Sequence, residues 1–285
     1  RAARGPRAAR LRPSRRAPSP SLRAVGTEAG AEAEGKLKPD WAGEDFLSKV
    51  VNAAIATPVL YEPMKVMARR TLISTAEKNG ISWRDEAAAL ERDPAVRAAF
   101  ESVRDKEVES RYPGYYLQPF HAYAEGNLCW LAACEAESAT YSMALRVWPG
   151  EDGLTWQGAQ SRLRDSYTGA VESHLGANKL GAPKRILDMG CSVGISTQAL
   201  AAKWPGAEVV GLDASPYMLA VAKARDGEQE GGARVSRWVH GLAEDTGLEA
   251  GSFDLVSLAF VLHECPQAAS RAIVAEAGPR LPPGG

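Results

Sequence analysis

The run Arg185-Ile186-Leu187-Asp188-Met189-Gly190-Cys191-Ser192-Val193-Gly194 admits few backbone paths. An apolar stretch leads into an acid, then a glycine-spaced turn, then a helix-forming segment from Ile195 to Lys203. That is a strand, a tight turn and a helix N-terminus, the opening half of a nucleotide-binding βαβ unit. A second strand, Val209-Val210-Gly211-Leu212, ends in Asp213, about 20 residues after the turn. Gly190 and Gly194 allow close backbone approach to a ligand, and the helix start offers unpaired N–H groups. A dinucleotide fingerprint needs GxGxxG, whereas here Ser192 replaces the middle glycine. That weakens a nicotinamide or flavin reading. Asp188 suits a ligand that carries an ammonium group.

From residue 184 onward, strands and helices alternate. Strands are expected at 184–189, 207–212, 234–240 and 253–261, and helices at 194–204, 216–225 and 266–277. Strands so uniformly apolar are buried on both faces, which implies a parallel sheet covered by helices. Residues 41–180 show no strand period. Helices are expected at 44–77 (broken by Pro58 and Pro63), 83–91, 94–109, 125–148 and 154–175. In the 125–148 stretch, Leu131, Cys134, Ser138, Tyr141, Leu145 and Trp148 form a stripe at helical spacing, read as core. A Tyr-rich loop, 111–123, lies between. The domain organisation is thus a leader and linker at 1–40, a helical cap region at 41–180, and an α/β domain at 181–285.

Charge is unevenly spread. Residues 1–24 hold eight Arg and no acid, leaving 26 basic against 35 acidic residues in the remainder, a balance of −9. An acidic body speaks against a phosphate-binding surface. The Arg-rich, Ser- and Pro-containing leader has the look of an organellar transit peptide, the chloroplast stroma being favoured over mitochondrion or cytoplasm. No apolar run approaches the roughly 18 residues of a membrane span, which leaves peripheral contact open. The four cysteines (Cys129, Cys134, Cys191, Cys265) lack CxxC spacing and are read as free thiols, with no metal site.

Taken together, residues 184–285 resemble the class I S-adenosylmethionine-dependent methyltransferases, whose first motif reads roughly (V/I)LDxGxGxG. Asp213, Phe253-Asp254-Leu255-Val256 and Leu281-Pro282-Pro283-Gly284-Gly285 match further family motifs in order. The segment Pro119 to Trp130 is similar to uncharacterised plastid and cyanobacterial members. The resemblance implies a Rossmann-like sheet and S-adenosylmethionine as cofactor. Gly190, Cys191 and Gly194, with Asp188, would hold its methionine moiety. Asp213 would take the ribose, Ala214 or Met218 would flank the adenine, and Ala243 and Glu244 would meet the adenine edge. Ser192 replaces a family glycine and is tolerable at negative φ. Leu242 stands where many relatives place an adenine-reading Asp or Asn.

The resemblance also implies seven strands in the order 3-2-1-4-5-7-6. Four are expected here, so a C-terminally truncated sheet with an exposed fourth strand is anticipated. His263, at the end of that strand beside Glu264, is the candidate base, the alternative being a lid over the cofactor. His121 and Tyr123 in the aromatic loop are candidates for substrate contact, the alternative being plain packing. Asp254 reads as structural. The function expected is methyl transfer to a small molecule, a neutral or apolar plastid metabolite such as a quinone or pigment. A protein or RNA methyltransferase and a non-catalytic cofactor-binding assembly protein are the alternatives.

Overall fold

The computed structural model describes residues 58–121, 123–228 and 235–282. The leader, the linker, the first part of the expected 44–77 helix and the last three residues lie outside that set.

Four parallel strands form the sheet: β1 (Arg185–Met189), β2 (Glu208–Asp213), β3 (Arg237–His240) and β4 (Leu255–Ser257). Their order is β3-β2-β1-β4. β1 pairs with β2 from Arg185↔Glu208 to Met189↔Leu212, and with β4 from Ile186↔Leu255 to Asp188↔Ser257. Ile186, Leu187, Met189, Val209, Val210 and Leu212 are each at most 1% exposed. Burial on both faces contributes roughly 1.5–3 kcal/mol for each such side chain, which is why these runs need helices above and below.

Six helices precede the sheet: α1 (Pro58–Lys78), α2 (Trp83–Arg92), α3 (Pro94–Val103), α4 (Lys106–Glu109), α5 (Trp130–Leu145) and α6 (Trp156–Ala177). Three more alternate with the strands: α7 (Ile195–Lys203), α8 (Pro216–Glu228) and α9 (Gln267–Ala277). Ile186 and Val209 pack against Leu200 and Ala201 of α7 and against Tyr167 and Val171 of α6. On the opposite face, Leu187, Met189, Val210 and Leu212 meet Ile273 of α9. A third cluster joins α2, α3 and α5 to Met218, Ala220 and Val221 of α8.

Several boundaries differ from the sequence reading, each for a local reason. Helix α1 runs through Pro63 without a break, forgoing one ladder hydrogen bond. The expected 94–109 helix stops at Val103. Asp105 caps α4 by accepting from Glu107 N–H, and donates its own N–H to His240 Nδ1 at 2.8 Å. Helix α5 starts at Trp130 because Cys129 Sγ caps it, accepting from Ala132 N–H at 3.5 Å. In its stripe, Cys134 and Ser138 are buried, whereas Leu131 is 52% exposed.

Strand β4 ends at Ser257, four residues short of expectation. Its hydroxyl is drawn into a buried network with Asp188 and Tyr167. Phe260 then adopts φ +59°, and residues 262–264 close a 3₁₀ turn. At the other end of the sheet, Asp254 accepts from the N–H groups of Lys184 and Arg185 at 2.8 and 2.9 Å, which is the structural role expected of it.

Candidate functional site

The carboxyl ends of β1, β2 and β3 carry the polar groups. After β1 the chain turns back sharply. The N–H groups of Gly190 and Cys191 both donate to Leu212 O, at 2.7 and 3.0 Å. Gly190 has φ +73°, and a Cβ there would lie 2.5 Å from Val261 Cγ2. Gly194, the N-cap of α7, has φ +84°, and its Cβ would lie 2.5 Å from the Trp238 ring. Both positions require glycine, by backbone conformation and by space.

Ser192 lies between them at φ +51°. The negative φ anticipated from the sequence is therefore corrected: a side-chain-bearing residue is held in the left-handed region, at a cost of about 1–2 kcal/mol. The reason is Asp213. Ser192 N–H donates to Asp213 Oδ2 at 2.8 Å, and Ser215 N–H donates to Oδ1 at 2.7 Å. One carboxylate thus ties the turn after β1 to the turn after β2. Asp213 is 8% exposed. Burial pushes its pKa up to about 6, against the pull of those two N–H bonds. Each carboxylate oxygen retains a second lone pair for a ligand hydroxyl. Ser192 Oγ donates to Met218 Sδ at 3.5 Å, which fixes the buried Met218 beside the turn.

Asp188 differs from its expected placement. It is 0% exposed. Its carboxylate accepts from Ser196 Oγ (2.6 Å), Thr197 Oγ1 (2.8 Å) and Ser257 Oγ (2.7 Å). Burial raises its pKa, and the three hydroxyls work against that rise. In this structure Asp188 anchors α7 and β4 beneath the turn. Cys191 is buried, and burial raises its thiol pKa well above the ordinary value, consistent with a space-filling turn residue.

His240, at the end of β3, was not singled out from the sequence. The rule that drew attention to Asp213, a polar residue at a strand's carboxyl end, also applies to it. Asp105 N–H donates to Nδ1, so the ring proton sits on Nε2. Nε2 faces Ala214 O at 3.1 Å and Tyr112 Oη at 3.0 Å. Burial lowers the His240 pKa. Ala214, half-buried, is thereby fixed through its carbonyl.

The aromatic loop crosses these strand ends. Tyr115 Oη donates to Glu244 Oε1 at 2.5 Å, and burial followed by that bond raises the phenol pKa. Ala243 lies beside Glu244, half-buried, and Leu242 is buried. Ser215 Oγ donates to Asn127 O at 2.7 Å, locking the end of the loop to the turn after β2.

Within the loop, His121 and Tyr123 part company. Phe120 and Tyr123 exchange backbone hydrogen bonds. Tyr123 Oη donates to Glu135 Oε2 at 2.8 Å, and Glu135 also pairs with Arg69. Tyr123 Oη therefore reaches α5. His121, at φ +51°, points the other way, with Nε2 3.7 Å from Glu264 Oε1. His263 Nε2 lies 3.8 Å from the same oxygen. The two candidate histidines, far apart in sequence, converge on one carboxylate. Glu264 acts electrostatically on Asp213, raising its pKa.

Residues 186–285 match a family model described as a methyltransferase domain. Trans-aconitate 2-methyltransferase of Methylobacterium nodulans is 42% identical over 71 residues, 25% of this chain and 28% of that protein. The uncharacterized methyltransferase sll0829 of Synechocystis is 39% identical over 102 residues, 36% of this chain and 44% of its own length. The chain thus spans less than half the length of these relatives. Among solved structures, the PH0226 protein of Pyrococcus horikoshii is similar at 24% identity and a TM-score of 0.37, over 50% of this chain and 58% of that one.

Proposed function

We propose that the chain transfers a methyl group from S-adenosylmethionine to a small-molecule acceptor, a reading supported by the match of residues 186–285 to a family model described as a methyltransferase domain. The observation that carries this reading is Asp213, an acid at the carboxyl end of β2 that is bonded to the backbone of the glycine turn. Asp213 keeps acceptor capacity beside the glycine turn, and Glu264 acts on it electrostatically, so the residues present fit a cofactor that carries hydroxyls and a positive charge.

In this proposal Asp213 accepts from the ribose hydroxyls, Gly190, Cys191 and Gly194 line the methionine end, and Met218 and Ala214 flank the adenine. Ala243 and Glu244 face the adenine edge. The cofactor supplies an activated methyl group on a sulfonium. The chain's own part is to hold the acceptor in line with it and to keep water out, and much of the rate comes from that positioning. The aromatic loop covers the strand ends and supplies the apolar wall. His263 and His121, on the acceptor side, are the groups available to an acceptor that must lose a proton.

For the acceptor we favour a plastid metabolite such as a quinone or pigment, with import directed by the Arg-rich leader. Tritiated S-adenosylmethionine incubated with the chain and plastid extract should label the lipid or pigment fraction. Label found only in protein or RNA would replace this reading with a macromolecular one, and bound cofactor without any label would leave a non-catalytic assembly role. A second reading, an anionic acceptor, is supported by Arg164 and Gln160 on one face of α6. Arg164 Nε and both amide atoms of Gln160 are buried without hydrogen-bond partners, and the Arg164 guanidinium lies 5.9 Å from the Phe260 ring beyond β4. The relative named for trans-aconitate is consistent with it.

A further inference from the structure

We propose that His121, His263 and Glu264 form a binding site for a divalent transition-metal ion, with zinc the best fit. His121 Nε2 and His263 Nε2 lie 3.7 and 3.8 Å from Glu264 Oε1, and the three ligand atoms are within 4.8 Å of one another. Ligands at zinc–nitrogen and zinc–oxygen distances of about 2.0–2.2 Å in tetrahedral arrangement are roughly 3.3–3.5 Å apart. Side-chain shifts of about an ångström or less close the three around one ion.

The site is also built from behind. Asn127 Nδ2 donates to Glu264 Oε2 at 3.1 Å. That bond orients the carboxylate and leaves Oε1 for the histidines, the kind of outer support that metal carboxylates have. His121 is held in the left-handed region with its ring 4.0 Å from that of Phe120, so the loop presents it in one direction. Among the described residues, the basic side chains within 4 Å of Glu264 are the two histidines, and no Lys or Arg occupies the place of the ion. Two imidazoles and one carboxylate suit zinc, and they leave a coordination position open toward solvent or substrate.

The location matters for the reaction. Asn127 donates to Glu264 and accepts through its carbonyl from Ser215, whose N–H donates to Asp213, so an ion here sits beside the proposed cofactor pocket. It would bind an acceptor through an oxygen and favour the deprotonated form of that oxygen. This last role rests on the methyltransferase reading; metal binding does not.

The test is a calorimetric titration of the chain with zinc chloride alone, set beside a separate titration with S-adenosylmethionine in the absence of metal. About one zinc per chain is expected, with affinity falling at least about tenfold in His121→Ala, His263→Ala and Glu264→Gln. His174→Ala, which alters an exposed histidine on α6, should bind zinc as the parent does. X-ray absorption of the zinc-loaded chain should show nitrogen and oxygen neighbours. Zinc binding that survives all three substitutions, sulfur neighbours, or no binding would overturn the site. Both histidines are more than half exposed, so their loss should not unfold the chain, and an unchanged thermal unfolding transition in the variants checks this. Failure of the cofactor titration alone would remove the methyltransferase reading and leave the metal site standing.

Discussion

Asp213 and Ser192 have to be understood as a pair. Ser192 accepts left-handed strain so that its N–H can reach Asp213, and Asp213 accepts burial so that it can hold two turns together. Two outcomes follow. Ser192→Val places a β-branched side chain at φ +51° and removes the contact to Met218; it should lower stability by about 1–2 kcal/mol in urea unfolding, whereas Ser192→Gly should stay within about 1 kcal/mol of the parent. Asp213 titrates near pH 6, raised from 3.8. Its folded state therefore holds the proton more tightly than the unfolded chain does. The stability it contributes is fully present below pH 3.8 and is lost as pH rises through about 6. Cofactor affinity should run the opposite way, falling as pH drops below about 6, because a protonated carboxyl loses acceptor capacity for the ribose hydroxyls. Affinity that is flat between pH 5 and 8 would argue against that contact.

At the scale of elements, strand β3 and the α3–α4 junction are held together by His240. Its lowered pKa reflects a ring kept neutral by burial. Protonation would place a second hydrogen on Nδ1 against Asp105 N–H. Stability from this residue is present above the ordinary histidine value near 6.5 and decreases as pH falls through it toward the lower folded value. His240→Leu should remove that acid-side loss and cost about 1–3 kcal/mol at neutral pH, since Asp105 N–H loses its partner. A pH-stability curve of the variant that retained the parent's acid-side slope would contradict this assignment.

The same elements explain what was legible in the sequence. Strands β1 and β2 and the glycine turn could be read because uniformly apolar runs and paired glycines leave few alternatives, whereas the strand order followed from the family resemblance. The 94–109 helix was overextended because its break depends on a hydrogen bond to His240, more than a hundred residues away. β4 was overextended because Val261 and Leu262 are apolar for another reason: Val261 packs against the space at Gly190. The convergence of His121 on Glu264 had no local signal at all, since it depends on how the aromatic loop crosses the sheet.

For the molecule as a whole, the helices before residue 180 are packed as part of the α/β body. Phe100 of α3 is 9% exposed, with ring centroids 5.1 Å from Trp130 of α5 and 4.9 Å from Tyr217 of α8. Phe100→Ala should cost about 3–5 kcal/mol and shift a single unfolding transition followed by both far-ultraviolet and tryptophan signals. Two separated transitions would mean that the helical region folds apart from the sheet. The most direct measurement is calorimetric titration of the parent chain and Asp213→Ala with S-adenosylmethionine at pH 7.5. Saturable binding near one cofactor per chain, weakened at least about tenfold by the substitution (about 1.4 kcal/mol), is the predicted result. No binding by the parent, or equal binding by both, would contradict the account.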